Sequence, residues 1–290
     1  MKKRLKSLIQ KLQINFVPQL YKKRFFKNLE HLNWHSIQNK NIENELLLIK
    51  YFLDKNSTFI DIGANLGQYL YTAEKIVLKE NIHAFEPHPL LNQRLKKIFN
   101  GMAIHPYAIS KTNEKSQFKI PFFDEREIHT RGTLKTDYID TSETTFKLID
   151  VEVVKLDSII KNLGLKDISM IKIDVEGAEM DVIEGATECI REFQPILMIE
   201  IEQQHHTTPI ISFISNIEQS GHYKCYYFNT LEQQIKGDIH QQNIQEIQSP
   251  TNHAKNRLFI NNFIFLPLEK FDDSRISAMN NQIRADKNLH

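Results

Sequence analysis

Cysteine is scarce in this chain of 290 residues. Only Cys189 and Cys225 occur, far apart and without the paired spacing of a thiolate metal site. That excludes a disulfide framework and reads as two reduced thiols in or near a core. Long apolar runs are missing as well. No stretch approaches the roughly 18 residues a membrane span needs, and the N-terminal segment never becomes the apolar core of a secretory signal. Net charge is close to nil, +1 overall, so no global field points to nucleic acid. No internal repeat and no Cys/His cluster is visible, and no metal is expected. These absences leave one good-sized cytoplasmic domain with an appendage as the expectation.

Charge is placed less evenly than its total suggests. Residues 1–27 carry nine Lys or Arg, and the first acid is Glu30. Leu5, Leu8, Ile9 and Leu12 fall at helical spacing among those cations. Two readings stay open for this basic arm, residues 1–40. Either its apolar stripe packs on the main domain, or it makes peripheral contact with an anionic membrane at the inner face.

The main domain is expected over 41–270. Thr58–Ile62 is a short buried strand, followed by a glycine-bearing turn and a helical pattern. NIHAF, residues 81–85, is a second strand ending at Glu86, and MAIHPYAI, residues 102–109, contains a third. This βαβαβ alternation predicts a parallel sheet with helices on both faces. It breaks at 111–150, a segment expected to read the acceptor: SQFKIPFF and FKLIDVEVVKL read as strands, and the polar, turn-rich stretch between them as a flexible loop or a small extra hairpin. Arg126, His129, Arg131 and Tyr138 are its polar contacts. Asp157 is expected to cap the following helix and Gly164 to end it. SMIKIDV and ILMIEI are further buried strands. Two late strands, near 223–228 and 258–266, suggest an antiparallel pair at the sheet edge. The polar tail, 271–290, is expected to be loose.

The chemistry-bearing residues cluster at strand ends. TFIDIGANLG spells D-x-G-x-x-x-G and lacks the spacing of a dinucleotide fingerprint. Asp61, Gly63, Ala64, Asn65 and Gly67 therefore suit a ligand without pyrophosphate, in which a carboxylate meets an amine. S-adenosylmethionine is such a ligand. A side chain at Gly63 is expected to block it while leaving the fold largely intact. Glu86, 23 residues after Gly63, is placed to accept hydrogen bonds from ribose hydroxyls. In IKIDVEGAE, Lys172 and Asp174 share one strand face, and an ionised pair there is costly unless paired or used. Asp174, Glu176 and Lys172 are the catalytic candidates, Asp174 as first choice of base. Glu200, Glu202 and His205, at the end of the next strand, are candidates for the acceptor site.

DIGANLG, FEPHP, IKIDVEGAE with a second EGA eight residues on, and PILMIEI together resemble the FkbM family of class I S-adenosylmethionine-dependent methyltransferases. The resemblance spans about 45–266. It implies a Rossmann-like α/β fold with a seven-stranded, mostly parallel sheet and a late antiparallel strand. It also implies methyl transfer, mostly to oxygen, on sugars of polysaccharides or glycolipids or on secondary metabolites. In that picture Asp61, Gly63, Asn65 and Gly67 hold the methionine end and Glu86 the ribose, and Asp174 and Glu176 lie nearest the transferred methyl. Two rivals stand beside it: a nicotinamide-dependent oxidoreductase and a non-catalytic binding protein of the same fold.

Overall fold

The computed structural model describes residues 2–34, 37, 42–248 and 258–288, with side chains from Ile9 onward except those of Gln245 and Asn288. Leu5 and Leu8 of the arm's apolar pattern therefore lie outside the described side chains.

Two sheets form the molecule. The larger contains β1 (Phe59–Ile62), β2 (Ile82–Phe85), β3 (Ala103–His105), β8 (Met170–Ile173), β9 (Ile196–Glu200), β10 (Tyr223–Asn229), β11 (Gln234–Lys236) and β12 (Asn262–Pro267). Their order is β11-β10-β12-β9-β8-β1-β2-β3. β3, β2, β1, β8 and β9 are mutually parallel. β12 runs against both β9 and β10, so the late antiparallel pair is present. Among the described residues the sheet has eight strands rather than seven, and it is mixed. The eighth is β11, which returns as a hairpin on β10. Its turn is local: Asn229 Oδ1 accepts the N–H groups of Leu231 and Glu232, and Gln233 takes a left-handed backbone.

The smaller sheet has the order β4-β7-β5-β6, with β4 (Tyr107–Ile109), β5 (Glu114–Phe123), β6 (Arg126–Glu127) and β7 (Thr145–Val154). The expected single strand over 102–109 is thus two strands in two sheets. Pro106 lies between them and has no N–H for a ladder, so the chain changes sheets there. β5 and β7 pair antiparallel over their length. The 111–150 segment is therefore a built hairpin carrying a loop, with the two flanking strands where the sequence placed them.

Helices cover both faces of the main sheet. One face buries Phe59, Met170 and Met198 beneath α1 (Lys2–Phe16), α2 (Pro18–Phe25), α3 (Glu45–Phe52), α4 (Gln68–Ala73), α5 (Pro89–Ile98) and, at the far end, α11 (Asp273–Asn288). The other buries Ile60, Ile171 and Leu197 beneath α6 (Leu156–Leu163), α7 (Glu179–Glu184), α8 (Thr187–Phe193) and α9 (Ile210–Gly221). A four-residue α10 (Ile244–Ile247) precedes the final strand.

Two local expectations change. Asp157 does not cap its own helix: its carboxylate accepts the N–H groups of Glu188 and Cys189, at 3.1 and 2.8 Å, and so caps α8. The tail is not loose. Residues 273–288 form α11, which buries Ile276, Met279 and Ile283. Among the described residues no helix is long and apolar enough to cross a membrane.

Candidate active site

The site lies at the carboxyl ends of β1, β2, β8 and β9, where an open α/β sheet binds ligands. The loop after β1 is shaped by its neighbours. The N–H groups of Gly63 and Ala64 both donate to Phe85 O, at 3.0 and 3.1 Å. Gly63, Asn65 and Gly67 all have positive φ. A Cβ on Gly63 would lie 1.8 Å from Asp174 O, and one on Gly67 would lie 2.6 Å from the Phe99 ring. Both glycines are thus required by packing inside the protein. This corrects the expectation for Gly63: a side chain there drives the loop away from β8 and disturbs the fold as well as the pocket.

Glu86 ties that loop to the end of β2. Its Oε2 accepts the Asn65 N–H at 2.7 Å and its Oε1 accepts the His88 N–H at 2.8 Å. Burial, only partly offset by those two bonds, pushes its carboxyl up to about 7. It borders an apolar cleft formed with Phe85, Tyr107, Ile109, Phe118 and Leu134. Its remaining walls are mostly apolar, and Asp174 and Glu176 also line it.

The adjoining cavity is polar. It is lined by Glu43, Asp61, Asp174, Glu176 and Glu200, with Lys172 and Arg131 as its cations. The sheet register places Asp61 directly beside Lys172. Lys172 is fully buried, its Nζ 3.6 Å from Glu200 Oε2 and 5.1 Å from the centre of the Tyr69 ring. Burial is the largest single influence on that ammonium and lowers its pKa, but Asp174, Glu200, Glu43 and Asp61 together outweigh it and the net shift is upward. Lys172 therefore stays charged. One Asp61 oxygen, Oδ2, is buried without a hydrogen-bond partner. Burial pushes Asp61 up to about 7, against Lys172 and with help from Asp174 and Glu86. Asp174 rises to about 6, by burial first, with Lys172 opposing and Glu43, Glu179 and Glu202 adding. Glu176 and Glu200 are raised well above the usual carboxylate range, burial and then Asp174 being the main causes. Arg131 is already ion-paired with Asp140. The cavity thus holds more carboxylates than cations, a surplus that a positively charged ligand relieves.

The two clefts share Gly63, Asn65, Thr130, Asp174 and Glu176. Glu176 also borders a third cavity, with Tyr138 and His205. His205 Nε2 is 3.6 Å from Glu176 Oε2, and the edge of Tyr138 meets the His205 ring at 4.8 Å. His205 continues into a larger cavity with Lys135, Gln204, Thr207, Phe213 and Asn216. Glu176 itself has a left-handed backbone, φ 52°, and its carbonyl accepts the Thr133 hydroxyl at 2.7 Å. The loop between β6 and β7 thereby reaches into the site.

The structure brings Asp61, Gly63, Ala64, Asn65, Gly67, Lys172, Asp174 and Glu176 together around one cavity, with Glu86 at the rim of its neighbour. Glu200 belongs with this group, where its Oε1 accepts from Asn261 Nδ2 at 2.7 Å. His205 lies on the far side of Glu176. Glu202 lines none of these cavities and is bonded by the Gln204 amide. Glu43 and Tyr69, hydrogen-bonded to each other at 3.0 Å, are part of the site without any motif announcing them. The fold also gathers His88, Glu127 and His129, with one potential metal-ligand atom each, all within 4.8 Å. His88 Nδ1, however, accepts the Leu90 N–H. The neutral ring then carries its proton on Nε2, the atom that would have to ligate.

The strand order, the glycine turn leaving β1 and the acid closing β2 define a Rossmann-like α/β protein with its candidate site at the carboxyl edge of the sheet. Residues 61–225 match the family model described as Methyltransferase FkbM domain, and the chain belongs to this methyltransferase family. It is 24% identical over 168 residues to Methyltransferase 1 of Beauveria bassiana (strain ARSEF 2860), covering 50% of this chain and 68% of that protein. It is 29% identical over 140 residues to 2-O-methyltransferase NoeI of Sinorhizobium fredii (strain NBRC 101917 / NGR234), covering 45% of this chain and 58% of that one. Among solved structures, it resembles a methyltransferase FkbM from Methylobacillus flagellatus KT at 16% identity and a TM-score of 0.45, over 74% of this chain and 44% of that one.

Proposed function

We propose that this methyltransferase uses S-adenosylmethionine and methylates a hydroxyl oxygen of a carbohydrate. The observation that carries the cofactor is the carboxylate surplus beside an apolar cleft. S-adenosylmethionine brings a sulfonium and an ammonium to the first and an adenosine to the second. A nicotinamide dinucleotide would bring a pyrophosphate anion to the same carboxylates, which argues against the oxidoreductase. In this reading Asp61, Gly63, Ala64, Asn65 and Gly67 hold the methionine end, and Glu86 the ribose. Lys172 holds Asp174 and Glu200 in place.

The cofactor supplies an activated methyl group. The protein's task is to align an acceptor oxygen with the S–CH₃ bond and to take its proton. Asp174, at the junction of the two clefts and shifted close to neutral pH, is the base. Glu176 and His205 lie beyond it and would position the acceptor. Support for oxygen comes from the name of the Sinorhizobium relative, and support for a sugar from the polar side chains among those lining the third and fourth cavities. The test is incubation with methyl-labelled S-adenosylmethionine and glycan and glycolipid fractions. Label is expected in a hydroxyl-bearing carbohydrate fraction as an alkali-stable ether. Tight binding of S-adenosylhomocysteine with no label in any fraction would favour the non-catalytic alternative.

A further inference from the structure

The helical arm at the N-terminus is fixed to the domain by one face and leaves its apolar stripe outside. Tyr21 and Phe26 of the α2 region are buried in the main core. Lys22, itself buried, pairs with Glu74 at 2.5 Å. Arg94 of α5 donates to Tyr21 Oη at 3.3 Å and to Leu66 O at 2.9 Å, which links α2 to the glycine turn. Gln19 Nε2 reaches Ile98 O at 3.3 Å. The arm is therefore not a loose appendage whose apolar residues wait to be packed.

Yet Ile9, Leu12, Phe16, Val17 and Leu20 are exposed by 46, 48, 78, 43 and 50%. Ile9, Leu12 and Phe16 are spaced by three and four residues on α1, so they share one face. Val17 and Leu20 extend the apolar surface across the junction to α2. A row of large side chains left in water at this spacing marks a surface that something covers. The charges around it say what. Lys11, Lys23, Arg24 and Lys27 are exposed, and no acid occurs before Glu30, which stands 3.7 Å from Lys23 at the end of the arm. A single-signed basic rim around an apolar stripe complements an anionic lipid surface, where the stripe enters the acyl boundary and the cations meet headgroups. A second copy of the same arm would bring like charges together.

We propose that α1 and the start of α2 dock this enzyme on anionic membranes, lying in the interface plane without crossing it. The inference is independent of the cofactor and acceptor proposed above. The test uses the full chain and sedimentation with vesicles of phosphatidylcholine, with and without phosphatidylglycerol. The wild type is expected to co-sediment with the mixed vesicles and at least about tenfold less with phosphatidylcholine alone. The double variant Phe16→Glu, Leu20→Glu is expected to lose co-sedimentation while keeping its melting temperature, because both positions are exposed. Equal binding to both vesicle types, no binding to either, or unchanged binding by the double variant would overturn the proposal. So would a wild-type dimer that the double variant converts to monomer, since the stripe would then be covered by a second copy.

Discussion

Asp61 is a carboxylate kept in a place that favours an uncharged group. Its pKa of about 7 in the fold, against 3.8 unfolded, means that the folded state binds its proton more tightly. That contribution to stability is complete below about pH 4 and is lost as pH rises through 7. Asp61→Asn should therefore stabilise the ligand-free protein at pH 8 by about 1–2 kcal/mol, after discounting for relaxation and water entry, with little difference at pH 4. Urea unfolding at the two pH values checks this. The same variant should bind S-adenosylmethionine at least about tenfold more weakly. Asp174 gives a kinetic counterpart. If it takes the acceptor's proton, kcat/KM should rise with pH along a limb near its value of about 6. Asp174→Asn should lower kcat by roughly 10²–10³ while S-adenosylhomocysteine binding stays within a few-fold. A variant with undiminished kcat would remove Asp174 from that role. These acids were legible because strand ends can be read from apolar runs. Glu43 and Tyr69 were not, because they enter the cavity from segments packed across the sheet face.

Elements explain where local pattern misled. Gly63 was read as space for a ligand, whereas the nearest obstacle to a Cβ is the backbone of Asp174, 1.8 Å away. No one-dimensional pattern reports that approach, because it joins strands more than a hundred residues apart. Gly63→Ala should cost more than about 2 kcal/mol in stability, measured by denaturant unfolding, and not merely weaken cofactor binding. The 271–290 segment misled in the opposite direction. Its apolar residues are few, but Ile276, Met279 and Ile283 fall three and four apart, and all three are buried. Asn280 fixes the helix to the sheet edge by exchanging hydrogen bonds with both backbone groups of Ile235, at 2.8 and 3.0 Å. Ile283→Ala should destabilise the protein by about 2–4 kcal/mol. A loose tail would show no change in the unfolding midpoint.

At the scale of the molecule, the parallel strands with helices on both faces were legible, since alternating strand and helix signals leave few topologies. The second sheet was not. Its pairing joins β4 to β7 and β7 to β5 across a polar loop, and only the missing N–H of Pro106 marks the point where the chain changes sheets. The combined result is a cleft with a mostly apolar half and an acidic half around one buried lysine. The central claim of the proposed function is a cationic cofactor whose binding depends on ionised carboxylates. Asp61 and Glu86 both stand near 7 without ligand, and a positive ligand favours their charged forms. Calorimetric titration of the wild type with S-adenosylmethionine at pH 6 and pH 8 measures this directly. The predicted result is saturable binding that tightens by about tenfold at the higher pH, with proton release at neutral pH, and no binding of NADH. Affinity independent of pH, or binding of NADH in place of S-adenosylmethionine, would contradict it.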